Sequence, residues 1–147
     1  MKYQNNLKNK LKNGQKTLGC WTSLDNEITS ELLAQVGFDF LLIDHEHGYG
    51  DTRGITRQIQ SLKETECSAL VRMPKDDEVY VKKTLDTGAN SLMFPAVNNK
   101  KDAENIVEMC RYAPKGYRGM YIGRASNYGM NIKNYFRRYH LVTHPNR

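Results

Sequence analysis

From position 44 to position 47 the chain reads Asp44, His45, Glu46, His47, two carboxylates and two imidazoles in succession. An imidazole exchanges protons near neutral pH, and carboxylates beside it can orient it or hold a cation, so the group suits acid–base chemistry. On a solvated loop the same four side chains would be incidental charges, and local composition alone leaves both readings open. The preceding run, Phe38 to Ile43, is apolar except for Asp39 and has the length of a buried strand. Gly48 and Gly50 follow and open a loop. An apolar strand, then ionisable groups, then a flexible loop is how α/β enzymes present chemistry at the carboxyl ends of their strands.

The remaining elements must position that stretch. Residues 5–13 place Leu7 and Leu11 four apart among lysines, with Gly14 as a stop, which predicts a short amphipathic helix. Thr17 to Leu24 reads as a strand, and Asp25 or Asn26 can cap a helix with an apolar stripe of Ile28, Leu32, Leu33 and Val36, ended by Gly37. After the second strand, a helix from Asp51 or Thr52 carries Ile55, Ile59 and Leu62 on one face. Ser68–Met73 is a third strand, and Asp76 caps a helix with Val79, Val81 and Leu85 that ends at Gly88. Asn90–Val97 is a fourth strand, and residues 101–112 form a helix with Ala103, Ile106, Val107 and Cys110 inward. One helix and then four β-α units predict a parallel sheet with right-handed crossovers. The architecture is either an open doubly wound sheet or part of a (β/α)₈ barrel, which needs eight strands and typically ~250 residues. The first strand is followed by Thr22-Ser-Leu-Asp-Asn-Glu27 rather than a glycine-rich fingerprint, which argues against a dinucleotide site.

With 147 residues, 39% hydrophobic and 26% charged, the chain can build one packed domain. No apolar run approaches the ~20 residues that span a bilayer, and the lysine-rich start has no signal-peptide core, so the expectation is a cytoplasmic protein without membrane partners. Cys20, Cys67 and Cys110 are too scattered for a zinc site and read as small core residues. The net charge of +6 invites a nucleic-acid reading, but no binding motif accompanies it, and no nucleic-acid partner is expected.

Several motifs together resemble one family. They are N-L-K-x-x-L-K-x-G near the start, G-C-W in the first strand, L-L-I-D-x-E-H-G after the second and L-V-R-M-P after the third. L-D-T-G-A before the fourth strand and G-Y-R-G…G-R-A-S-N-Y-G after the last helix continue the match, which runs from about Leu7 to Tyr135. The chain resembles the metal-dependent (class II) pyruvate aldolases of the HpcH/HpaI type, which act on 4-hydroxy-2-oxoheptanedioate and 2-dehydro-3-deoxyglucarate. The resemblance implies the N-terminal half of a (β/α)₈ barrel, a carbon–carbon lyase forming pyruvate and an aldehyde through a pyruvate enolate, and a homo-oligomer. It also implies a divalent cation (Mg²⁺, Mn²⁺ or Co²⁺) and a small 2-oxo acid as substrate. By the same resemblance His47 is the general base, Arg72 binds the pyruvate oxygens and stabilises the enolate, and Asp86 raises the basicity of the histidine. Trp21 lines the pocket, Asp44 and Glu46 order water or metal ligands around it, and Arg124 and Ser126 lie on a loop that could approach the substrate. His45 takes no role. Asp86 falls near the end of its helix, away from the mouth of its own barrel, so a broken helix or a neighbouring subunit would have to bring it to His47.

The resemblance has limits. The family's metal ligands are a glutamate and an aspartate from later strands, and this chain has no carboxylate after Glu108. The expected organisation is a partial barrel domain over residues 1–136 and an aberrant basic tail over 137–147, consistent with truncation. His140 and His144 share a helical spacing that coincidence explains. A half-barrel would expose strand edges and its inner face, so the isolated chain is expected to be marginally stable, to aggregate or to pair with a second copy. The alternative function is a non-catalytic half-barrel used for binding or assembly.

Overall fold

The computed structural model describes residues 5–139. In order they form α1 (Asn6–Lys12), β1 (Gly19–Thr22), α2 (Glu27–Val36), β2 (Phe40–Asp44), α3 (Thr52–Ser61), β3 (Ser68–Arg72), α4 (Glu78–Asp86), β4 (Leu92–Met93) and α5 (Lys100–Cys110). A 3₁₀ segment (Arg124–Gly129) and α6 (Ile132–Tyr139) follow. The helices begin where short polar side chains can close them. Asn5, Asn26, Asp51, Asp77 and Asn99 each accept a backbone N–H from the first turn, a contribution of about 1 kcal/mol per cap. Of the two residues expected to cap α2 it is Asn26 that does so, and α4 is capped by Asp77 rather than Asp76.

The strands pair in parallel in the order β1-β2-β3-β4, each beside its sequence neighbour. A doubly wound sheet reverses its order at a switch point, and these four strands do not reverse. The order is that of consecutive units in a barrel. Strands are shorter than the hydrophobic runs suggest, β4 most of all, since only Leu92 and Met93 pair with β3.

Register sorts the side chains into two faces. Trp21 lies beside Leu42 and Leu42 beside Leu70, while Asp44 lies beside Arg72; with the two-residue period of a strand, these share one face. Ile43 and Val71 point the other way and join Met73, Ile55, Val81 and Leu85 in the core between sheet and helices. α1 crosses the end where strands begin. Its Leu7 is buried, the Leu7 N–H donates to Ser68 Oγ at 3.2 Å, and the Asn5 amide donates to Ser91 Oγ at 2.8 Å.

Two helix faces differ from expectation. On α2, Ile28, Leu32 and Val36 are exposed, while the small Ser30 and Ala34 are buried. The reason is position: α2 packs against α3, with Ser30 Oγ donating to Gln58 Oε1 at 3.0 Å. β1 is an edge strand among the described residues, so no element lies beyond it to cover the other side of α2. On α5 it is Met109 that is buried, whereas Ala103 and Val107 are exposed. The boundary expected between residues 136 and 137 falls inside α6, whose Tyr139 packs edge-on against Tyr112. His140 and His144 lie outside the described residues.

Candidate functional site

The site forms at the carboxyl ends of β1, β2 and β3. Asp44, the last residue of β2, points to the face shared with Trp21 and Arg72 and is almost fully buried. Its Oδ1 accepts the backbone N–H groups of Glu46 (2.9 Å) and His47 (3.1 Å), which folds the following loop back over the carboxylate. Its Oδ2 accepts the Trp21 indole N–H at 3.0 Å and an Arg72 Nη1–H at 3.4 Å. Burial alone would push the Asp44 carboxyl up; those N–H groups and the Arg72 cation outweigh it, so the group sits below the usual carboxylate range and is ionised.

Arg72 is gripped on three sides. It pairs with Asp44, its Nη2 is bound by the Glu46 carboxylate, and its Cζ lies 5.1 Å from the centre of the Trp21 ring. A planar guanidinium held this way keeps its direction, which a lone lysine ammonium would not. His47 stands at the rim with its side chain 72% exposed and Nε2 3.8 Å from Glu46 Oε1. Gly48 makes the turn possible, because a Cβ there would come within 2.0 Å of the Asp44 carbonyl oxygen. An exposed imidazole thus sits beside a fixed cation, with a carboxylate between them. That arrangement can move a proton next to developing negative charge.

His45 goes the opposite way. Strand alternation turns it to the helix side, where it is buried and its Nδ1 lies 2.9 Å from the Tyr80 hydroxyl on α4. Nearby, Asp25 adopts φ 47° and accepts from Gln58 Nε2 at 2.9 Å; Gly54 leaves the room, since a Cβ there would fall 1.7 Å from Asp25 Oδ1. Sequence reasoning missed this network. A polar residue at one helical position carries no signal for a partner in another unit. Burial lowers the His45 pKa, against the pull of Asp25, Asp51 and Asp44. The unfolded chain protonates His45 near pH 6.5 and the folded chain only at lower pH, so stability is lost as pH falls from about 6.5 through the folded pKa, by at most about 1.4 kcal/mol per pH unit. His45→Gln is expected to lose less stability than the wild type between pH 7 and pH 5. Thermal melts of both proteins at the two pH values check it, and equal losses would contradict it.

Asp86, Arg124 and Ser126 are not at this end. Asp86 is the last residue of α4, where the chain has returned to the start of the sheet, and its Oδ1 accepts from Arg118 Nη2 at 2.8 Å. Arg124 lines a cavity with Ser68 and Asn90, which flank strand starts, and Ser126 is buried with Oγ donating to the Gly123 carbonyl. The loop that could approach the substrate lies, within this chain, at the opposite end, because α5 ends there and the chain continues across it. No group of three or more His, Cys, Asp or Glu among the described residues has the arrangement to hold a metal ion. Asp44 is already committed to four N–H groups and Glu46 to Arg72, so these two carboxylates do not by themselves fit a divalent cation.

The sequence pattern of the HpcH/HpaI aldolase/citrate lyase family matches residues 17–139. The chain belongs to this family. Among its relatives, a hydroxypyruvate/pyruvate aldolase of Roseobacter denitrificans is 39% identical over 133 residues, covering 89% of this chain and 52% of the relative. A 5-keto-4-deoxy-D-glucarate aldolase of Escherichia coli is 34% identical over 91% of this chain and 52% of its own length. The crystal structure of an HpcH/HpaI aldolase/citrate lyase family protein from Burkholderia cenocepacia superposes with a TM-score of 0.86 at 34% identity, covering 92% of this chain and 56% of that one. The four parallel strands and their helices therefore correspond to half of the family's barrel, and the chain spans about half the length of the curated relatives it matches. The crystal structure of a citrate synthase superposes with a TM-score of 0.72 at 30% identity, over 78% of this chain and 46% of that one. No helix among the described residues is long and apolar enough to cross a membrane.

Proposed function

We propose that this HpcH/HpaI chain carries the enolising half of an aldolase site, acting on a 4-hydroxy-2-oxo acid that yields pyruvate and an aldehyde. The observation that supports it is Arg72, held in one direction by Asp44, Glu46 and Trp21 beside the exposed His47 imidazole. In the cleavage direction His47 takes the proton of the 4-hydroxyl. The C3–C4 bond breaks, its electrons form the enolate of pyruvate as the aldehyde departs, and a proton returned to C3 gives pyruvate. Arg72 donates to the enolate oxygen, where negative charge accumulates. A divalent cation belongs to the proposal by family membership, but the donors that Asp44 and Glu46 offer do not complete its site. The test is exchange of the pyruvate methyl protons into heavy water, with and without Mn²⁺, on protein shown to be folded. Exchange above the protein-free rate supports the reading, and its absence in both conditions contradicts it.

Asp86 enters this scheme only across subunits. Within one chain it sits at the other end of the sheet from His47, so if it tunes the histidine, it does so in a neighbouring copy of a homo-oligomer. Chains carrying His47→Ala and Asp86→Ala are each expected to be impaired. Mixed after co-refolding, they are expected to regain part of the exchange rate, because some interfaces then pair an intact His47 with an intact Asp86. No gain on mixing would remove Asp86 from the scheme.

A second reading, a half-barrel used for assembly rather than catalysis, is favoured by the exposed Ile28, Leu32 and Val36 on α2 and by Trp21 at the β1 edge. It predicts a stable oligomer in light scattering and no exchange in either condition.

A further inference from the structure

At the end of the sheet where strands begin, remote from Asp44 and His47, the structure forms a half-open cavity of ≈ 150 Å³ between α1, the starts of β3 and β4, and the segment from Arg118 to α6. Lys63, Arg118 and Arg124 line it, and no lining residue is acidic. The carboxylates nearest in sequence to its lining pair with lining residues from outside it: Asp86 accepts from Arg118 Nη2, Glu66 accepts from the Asn6 amide, and Glu64 Oε1 lies 4.0 Å from Lys63 Nζ.

Arg118 is paired with Asp86, yet both arginines keep a buried Nε–H without a partner. The Arg118 side chain is 6% exposed and lies over the Tyr112 ring, 4.6 Å from its centre, yet its Nε–H is buried without a partner. Arg124 makes no hydrogen bond or ion pair to any described residue, and its Nε–H is buried as well. Its guanidinium packs over Gly88, at the carboxyl end of α4, where a Cβ would stand 3.4 Å from Nε. A cation at a helix carboxyl end is favourable by itself, but then its N–H groups would meet the last carbonyls, and the Nε–H meets none. Buried guanidinium N–H groups left unbonded are costly, and an oxyanion accepts them in pairs.

We propose that this cavity is a binding site for a small oxyanion, a phosphate or a short carboxylate, held by Arg124 and Arg118 with hydroxyl and amide contacts from Ser68 and Asn90. The volume suits a small ligand. A cavity of about 150 Å³ admits a molecule the size of benzene, so five or six non-hydrogen atoms fit, as in inorganic phosphate or pyruvate. The site is independent of the catalytic proposal, since Ser68 and Asn90 stand at strand starts while Asp44 and Arg72 stand at the carboxyl ends of β2 and β3.

The experiment is titration of the full chain with inorganic phosphate and, separately, with pyruvate. Binding is followed by calorimetry and by the ¹⁵N–¹H resonances of the arginine Nε–H groups. One anion per chain, with the Arg118 and Arg124 Nε–H signals shifting along the same saturation curve, is the expected result, and whichever anion saturates first identifies the oxyanion class. Arg124→Gln is expected to weaken binding at least tenfold, while His47→Ala binds as the wild type. A titration in which neither anion saturates, or only the Arg72 signal moves, or Arg124→Gln binds unchanged, overturns the site. Because the resonances report on the unaltered chain, the result stands even if Arg124→Gln does not fold.

Discussion

Replacing His47 by alanine is expected to abolish pyruvate proton exchange, by about 10²- to 10⁴-fold, and to leave the fold intact. The structural half of that expectation follows from exposure. The imidazole is 72% exposed and its nearest charged partner is Glu46 Oε1 at 3.8 Å, so its removal leaves no cavity and no buried group unpaired; surface changes of this kind fall within about 0.5 kcal/mol. The catalytic half follows from geometry, because among the residues gathered here His47 alone combines an exposed basic nitrogen with proximity to the Arg72 cation. Asp44 is buried and committed to N–H donors, and His45 is turned to the helices. Exchange measured on matched, folded samples of His47→Ala and wild type decides it. An unchanged rate would overturn the assignment of the base.

Arg72→Ala is expected to damage both chemistry and stability. Losing the donor to the enolate oxygen costs about 10²- to 10³-fold, the scale of removing one oxyanion donor. The same change leaves the nearly buried Asp44 and the half-buried Glu46 without their shared cation. The charge of Asp44 is then balanced by N–H groups alone, and a loss of about 1–3 kcal/mol is expected. Arg72→Lys separates the two effects. An ammonium retains a positive charge near Asp44 and restores much of the stability, but it cannot bridge Asp44 and Glu46 while also facing a substrate oxygen. Exchange is therefore expected to stay low in Arg72→Lys while its thermal stability approaches that of the wild type. Full exchange in the lysine variant would show that charge alone suffices and that the held direction of the guanidinium has no role.

The order of elements was readable along the chain because each is bounded by residues with local preferences: Asn5, Asn26, Asp51 and Asn99 at helix starts, and Gly37 and Gly88 with positive φ at helix ends. Parallel pairing follows from β-α alternation. The placement of His47 and Arg72 at one end was readable too, since both stand at or just after strand carboxyl ends and parallel strands bring those ends together. The failures share one cause. The α2 stripe was expected inward because it is apolar, but its burial depends on what stands beyond β1, and among the described residues nothing does. Arg124 and Ser126 stand on a loop that by motif could approach the substrate, and the path of the chain after α5 sets them within this chain at the other end of the sheet.

By itself, then, the amino-acid order determined which residues stand at the strand ends, the α/β alternation and the family. Only the tertiary structure decided that Asp44 turns inward to Trp21 and Arg72 while its neighbour His45 turns outward to Tyr80. A strand's two-residue period is written in the chain, but its phase is set by which face the helices cover. Likewise only the fold brought Arg118 to Asp86, 32 residues away, and left Arg124 beside a cavity with no counter-charge among the described residues. Contacts of that range depend on the path between the residues, and neither residue's immediate sequence encodes it.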